Sequence, residues 1–135
     1  LAGFSRREDL LLKVDVEGAE WESVAGLTGS DLEQFQQIAI EMHGLSALLS
    51  RSTSSTFISA LKILNSGHVP IHVHANNYSR LVRFNRYWFP DAIEVTYCRR
   101  SIAGSELHLA PLPSELDAPC DARVADISLR GLRFP

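Results

Sequence analysis

Three short apolar segments of the chain each end in side chains that can exchange protons or hold a ligand. These carboxylate, imidazole and amide side chains belong to Asp15, Glu17, Glu41, His43, His74, Asn76 and Asn77. Ligands of open parallel sheets bind at the carboxyl ends of the strands. If the three segments are parallel strands, these side chains form the rim of one site.

Proton transfer and substrate binding are the chemistry that this rim predicts. His43 is a candidate general base for a hydroxyl proton, and Glu41 lies on the same strand face two residues before it. His74, Asn76 and Asn77 are candidate substrate-binding residues. The alternatives are a histidine that only hydrogen-bonds a strand end and asparagines that only form a turn.

Two further polar positions fall inside the third and fourth apolar segments. His72 and His74 have a spacing that can bind a metal. We expect His72 to be buried in mid-strand and His74 to lie at the rim, so the leading interpretation assigns no metal ligand. Glu94 is a carboxylate inside the fourth strand and therefore needs a partner, which we expect to be Arg83 or Arg86.

Strands and helices alternate along the first hundred residues. Apolar and β-branched runs predict strands at 10–16, 37–44, 69–77 and 92–100, and helices are predicted at 19–26 and 50–67. This alternation indicates an α/β fold with parallel βαβ units, and the near-continuous first run indicates a strand covered on both faces. The last strand follows a loop without a helix, so we expect it to be antiparallel. We interpret 1–100 as one partial α/β domain and 101–135 as an irregular tail packed on it.

Composition narrows the class of partner. The 135 residues carry a net charge of -3 and no basic stripe, which argues against nucleic acid. No apolar run approaches the ~20 residues that cross a bilayer, which argues against a membrane. The two cysteines, Cys98 and Cys120, fit a reduced compartment. Since no signal peptide is visible either, we expect a cytoplasmic protein with a small-molecule substrate.

The segment "LLLKVDVEGAEWESV", residues 10–24, resembles the signature of the FkbM-type methyltransferases, a branch of the class I S-adenosylmethionine-dependent enzymes. Its most specific part is "KVDVEGAE". Four later segments, "IAIEMHG", "HVHANNYS", "FPDAIEVTY" and "LDAPCDARVADISL", resemble members of that family in the same order. The resemblance spans residues 9–129.

The resemblance implies a Rossmann-like sheet with strand order 3-2-1-4-5-7-6. Residues 10–16, 37–42, 69–75 and 92–99 would be strands 4 to 7, the last one antiparallel. The implied reaction is O-methylation of a sugar or secondary-metabolite hydroxyl. The residues implied are Asp15, Glu41 and His43 for catalysis and Asp15, Glu17 and Gly18 for S-adenosylmethionine.

One part of the family pattern is missing. The sequence has no glycine-rich loop after a first strand and no acidic residue that ends a second strand and holds a ribose. We therefore expect the main cofactor loop to lie N-terminal to Leu1, so that this chain is the C-terminal half of a catalytic domain. The edge of the first strand would be covered by that missing half or by a second copy in a homodimer.

Two functions of other classes compete with methyl transfer. The first is a metal-dependent hydrolase or metal-binding protein that uses Asp15, Glu41, His43 and His74, since carboxylates and imidazoles bind several divalent metals. The second is a non-catalytic module. Metal content distinguishes the first from a methyltransferase, and binding of S-adenosylhomocysteine tests the second.

Overall fold

The computed structural model describes residues 10–50, 52–104 and 112–129. The strands are β1 (Leu10–Val14), β2 (Phe35–Met42), β3 (His68–Ala75), β4 (Leu81–Phe84), β5 (Tyr87–Pro90) and β6 (Ile93–Arg99). The helices are α1 (Glu20–Ala25), α2 (Gly29–Leu32) and α3 (Ser54–Gly67), with a 3-10 helix at Leu45–Leu49. The elements thus alternate as an α/β fold does.

Four strands form one mixed sheet in the order β1-β2-β6-β3. β1 and β2 are parallel, whereas β6 lies between β2 and β3 and is antiparallel to both. The expectation of an antiparallel last strand is therefore confirmed. Since β1, β2 and β3 run in one direction, their carboxyl ends lie at the same edge of the sheet.

The helices cover one face of this sheet. Side chains alternate between the two faces along each strand, so the apolar side chains of the strands gather on the face that the helices cover. The buried strand residues of this face are Ile38, Ile40, Met42, Val73, Val95 and Tyr97. Trp21 of α1 and Phe57 and Leu64 of α3 belong to the same core cluster. The sheet and its helical layer therefore share one hydrophobic core.

α3 packs through one stripe of side chains. Its buried residues are Phe57, Ala60 and Leu64, spaced three and four apart as on one helix face. α3 has 14 residues, and no helix of the described chain is long and apolar enough to cross a membrane. Burial against the sheet accounts for the apolar character of this helix.

β1 is covered on one face only within the described residues. Leu10, Leu12 and Val14 are half-buried, whereas the side chain of Leu11 is 61% exposed. The expectation of a strand buried on both faces is not met in this part of the chain. Burial alternates along β1, but the sequence does not show this because the outward-facing Leu11 is apolar like the inward-facing residues. β1 also lies at the edge of the sheet, as expected for the first strand.

The connection between β3 and β6 contains a hairpin that the sequence did not indicate. β4 and β5 pair antiparallel, and the register pairs Phe84 with Tyr87 around a two-residue turn. Asn85 has a φ of 54°, a left-handed conformation that asparagine tolerates. Arg83 donates to the carbonyl of Asn85 and Arg86 to the hydroxyl of Tyr87, both at 2.8 Å. The contacts of Glu94 in the described part of the chain are instead with His74 and Cys120, so the expected pairing with an arginine is not found there. Four-residue strands with mixed charges give too short a pattern to recognise.

The second face of the sheet carries polar side chains and meets the described segment 112–129, which has no helix or strand. His72 and His74 lie on this face, opposite the buried Val73. His72 Nε2 lies 2.8 Å from Asp117, and His74 Nε2 lies 2.9 Å from Asp126. Hydrogen bonds to histidines therefore tie this segment to β3.

Candidate functional site

The carboxyl ends of the parallel strands bring acidic and imidazole groups together. Asp15, Glu41 and His43 offer ligand atoms that lie within 4.8 Å of one another. His43 Nε2 is 3.4 Å from Glu41 Oε1 and 3.6 Å from Glu17 Oε2. Asn76 donates from Nδ2 to Glu41 Oε1 at 2.7 Å. We call these five residues the strand-end cluster.

His43 is held on its other side by a buried carboxylate. The Glu20 side chain has no solvent exposure, and its Oε1 lies 2.9 Å from His43 Nδ1. The same oxygen accepts the backbone N–H of His43 at 2.7 Å, and Oε2 accepts the N–H of Gly18 at 2.8 Å. Trp21 donates from Nε1 to the His43 carbonyl at 2.6 Å. Ring and backbone of His43 are thus both fixed by the start of α1.

Glu20 sets the tautomer of His43. Burial acts to raise the pKa of Glu20, but hydrogen bonds from the backbone of His43, of Glu20 itself and of Gly18, and from the His43 ring, outweigh it and lower that pKa. Glu20 is therefore ionised near neutral pH and accepts the Nδ1–H proton. In the neutral imidazole the lone pair is then on Nε2, which faces the strand-end cluster, an arrangement suited to a general base.

The lowered pKa makes Glu20 a source of acid-sensitive stability. Its contribution is complete above its ordinary value of 4.5 and is lost as pH falls through the lower folded-state value. We expect Glu20→Gln to lower the free energy of unfolding by about 1–3 kcal/mol at pH 7, because an amide NH₂ then faces a buried N–H donor. Urea unfolding should show the difference from wild type shrinking towards pH 3.

Glu22→Gln is the matched control for this prediction, since Glu22 lies two residues further along α1 and is exposed. It should leave stability within about 0.5 kcal/mol of wild type. Equal losses in the two variants would mean that charge on α1, and not the buried hydrogen bonds, is responsible.

The three proposed cofactor residues lie beside this pair. Asp15 is exposed and approaches Lys13 Nζ at 3.4 Å, and the side chain of Glu17 is 87% exposed. The N-cap of α1 is Ala19, without a side-chain hydrogen bond, so Asp15 does not cap this helix. Gly18 has a φ of 105°, a conformation that glycine adopts without strain, and its N–H is engaged by Glu20. Two carboxylates remain accessible at this edge.

The three expected substrate-binding residues have different positions. Asn76 joins the strand-end cluster, and its Oδ1 accepts the N–H groups of Tyr78 and Ser79. Asn77 instead donates to the carbonyls of Asp121 and Val124. Contacts with the C-terminal segment therefore occupy Asn77.

The two histidines of β3 exchange their expected environments. His74, expected at the rim, has a side chain only 5% exposed, whereas that of His72, expected to be buried, is 31% exposed. His74 lies nearer the carboxyl end of β3, where the C-terminal segment covers the sheet. A strand pattern alone does not reveal which end of a face is covered.

A second group of potential ligands lies next to the first on the same sheet face. His74, Glu94 and Cys120 offer ligand atoms within 4.8 Å of one another, and we call them the tail cluster. Glu94 pairs in register with Glu41 on one side and with His74 on the other. Burial, together with the negative charges of Glu94 and Glu41, raises the pKa of the Cys120 thiol. The negative charge of Glu41, which belongs to the strand-end cluster, thus also acts on Cys120 of the tail cluster.

The sequence analysis assigned no site role to four residues that shape these clusters: Glu20, Glu94, Cys120 and Asp126. Glu20 is the last residue of the "KVDVEGAE" segment, two positions after Gly18, and its place in that segment was a usable signal. Cys120 and Asp126 reach the sheet through contacts with residues 26 and 52 positions away in the chain, and no local pattern reports such contacts.

Comparison of the chain with protein-family models, with curated proteins and with solved structures finds no match.

Proposed function

We propose that the chain forms the acceptor side of an S-adenosylmethionine-dependent O-methyltransferase. The observation that carries this proposal is the His43–Glu20 pair, whose Nδ1–Oε1 distance is 2.9 Å and whose Nε2 faces the carboxyl ends of β1 and β2. A fixed imidazole at this edge can take the proton of a hydroxyl group.

The strand arrangement supports the same proposal. The order β1-β2-β6-β3, with β6 antiparallel, is the order that the class I methyltransferase fold implies for its strands 4, 5, 7 and 6. In that frame β1 would lie beside strand 1 of the sheet. The outer edge of β1 makes no pairing within the described residues, so it is available for such a strand or for a second copy of the chain.

The residues of the chain would divide the chemistry among them. Bound S-adenosylmethionine supplies an electrophilic methyl group. The acceptor hydroxyl would lie against His43 Nε2, which would take the proton as the oxygen bonds to the methyl carbon and the carbon–sulfur bond breaks, with S-adenosylhomocysteine as the leaving group. Glu41 and Asn76, joined at 2.7 Å, orient the acceptor.

The cofactor would contact the accessible carboxylates of this edge. Asp15 and Glu17 can accept hydrogen bonds from the amino group of its methionine end, and their negative charge favours its sulfonium. Gly18, whose N–H is bonded to Glu20, contributes a close backbone approach instead of a donor. The 135 residues contain no glycine-rich cofactor loop, so the fit covers only the methionine end.

Methyl transfer by the natural polypeptide that carries this sequence tests the proposal. The assay measures transfer of a radiolabelled methyl group from S-adenosylmethionine to a panel of sugars and other hydroxylated small molecules. We expect transfer to at least one acceptor, together with calorimetric binding of S-adenosylhomocysteine. A folded natural polypeptide that neither binds S-adenosylhomocysteine nor transfers a methyl group would contradict the proposal.

A metal-dependent hydrolase is the second candidate, favoured by the close approach of Asp15, Glu41 and His43. Two carboxylates and an imidazole are a suitable ligand set for a divalent metal. His74 does not belong to this set, because its Nε2 is bonded to Asp126 and its Nδ1 faces Glu94. Ester or phosphoester hydrolysis that requires a metal, and that is lost in Asp15→Asn, would favour this candidate over methyl transfer.

A further inference from the structure

We propose that the tail cluster of His74, Glu94 and Cys120 binds a zinc ion. The proposal does not rest on the methyltransferase function. It concerns a different set of side chains, which shares the sheet face with the strand-end cluster.

The distances in the tail cluster are close to those of a tetrahedral site. With metal–ligand bonds of about 2.0–2.3 Å, neighbouring ligand atoms of such a site are separated by about 3.3–3.8 Å. Cys120 Sγ lies 3.5 Å from Glu94 Oε1, and His74 Nδ1 lies 3.9 Å from Glu94 Oε2. The two contacts use different oxygens of Glu94, and all three donor atoms lie within 4.8 Å of one another, so they must close in by up to about 1 Å to surround one ion.

His74 is already oriented as a zinc ligand. Its Nε2 lies 2.9 Å from Asp126 Oδ2, so the Nε2–H bond is directed at this carboxylate. Nδ1 then carries the lone pair, and its nearest charged group is Glu94. Zinc-binding histidines almost always donate their second N–H to a carboxylate or carbonyl in this way.

Cys120 is positioned by a clamp on its loop. Asn77 donates to the carbonyls of Asp121 and Val124, and its Oδ1 accepts the N–H of Asp121 at 2.8 Å. Asp121 also pairs with Arg123. The residue next to Cys120 is thus fixed to the end of β3, which places the thiol over the sheet before any ion arrives.

The donor set selects the type of metal. A thiolate and an imidazole favour zinc over magnesium or calcium, and thiolate with carboxylate balances two positive charges. Binding releases the thiol proton of Cys120 to solvent as the sulfur–zinc bond forms. One tetrahedral position remains for a water molecule.

Cobalt binding followed by absorption spectroscopy tests the proposal. The metal-free chain, kept reduced, is titrated with Co²⁺, and Zn²⁺ affinity is then measured by competition with a chromophoric chelator. We expect one Co²⁺ per chain with a thiolate-to-cobalt charge-transfer band, which Zn²⁺ removes. Cys120→Ser should lose the band, and Asp126→Asn should keep it at saturation while Zn²⁺ binds about 10–100-fold more weakly.

Two variants separate this site from its surroundings. Cys98→Ala removes the second cysteine, which is buried in β6, and His43→Asn removes the imidazole of the strand-end cluster. Both should keep the charge-transfer band. The proposal is overturned if folded wild type, checked by circular dichroism, shows no such band, or if the band survives Cys120→Ser or disappears in Cys98→Ala.

Discussion

His43→Asn is expected to slow methyl transfer by about 10²–10⁴-fold, the usual contribution of a general base. The asparagine side chain can still donate a hydrogen bond to Glu20, and the backbone bonds of residue 43 to Glu20 and Trp21 need no imidazole. The substitution removes the imidazole, and with it the Nε2 lone pair that would accept the proton. We expect kcat to fall with little change in KM, since the acceptor is still bound by neighbouring groups.

His72→Asn is the matched control, because His72 is a histidine of the same sheet face whose ring pairs with Asp117. It should leave kcat within a few-fold of wild type. Thermal unfolding of both variants separates a catalytic loss from a folding defect. If His43→Asn keeps the wild-type rate while folded, His43 serves only to join β2 to α1, and the assignment of the base is wrong.

The convergence of Asp15, Glu41 and His43 could be predicted from the sequence because it depends only on the direction in which the strands run. Alternating strands and helices require parallel strands, and parallel strands end at one edge. The orientation of the final strand followed from the lack of a helix before it, and the pairing of β6 confirms it. Local periodicity is sufficient for such conclusions.

The environments of His74 and Asn77 could not be predicted in this way. Both depend on residues 112–129, which form no helix or strand and so give no periodic signal. The contacts that bury His74 and occupy Asn77 join positions 44 to 52 residues apart. The same contacts decide which groups remain accessible, so the tail cluster is visible only once the chain is folded.

Trp21→Ala is expected to lower the free energy of unfolding by about 3–5 kcal/mol, the typical cost of removing a buried aromatic side chain. Trp21 is 3% exposed and stacks on Phe57 with ring centroids 4.0 Å apart and an interplanar angle of 22°. The substitution leaves a cavity between α1 and α3 and also frees the His43 carbonyl. Chemical denaturation should therefore show a lower midpoint with an unchanged slope.

Trp21→Phe separates these two effects, because phenylalanine keeps a stacked ring and cannot donate to the His43 carbonyl at 2.6 Å. It should cost less stability than alanine, with about 1–3 kcal/mol for the carbonyl left without its donor. If the indole also positions the base, Trp21→Phe lowers kcat in the natural polypeptide even at temperatures where the variant remains folded. Equal destabilisation by Phe and Ala would show instead that the hydrogen bond, and not the ring, holds α1 against the sheet. The position of His43 and the packing of α1 would then both depend on the hydrogen bond from Trp21 to the His43 carbonyl.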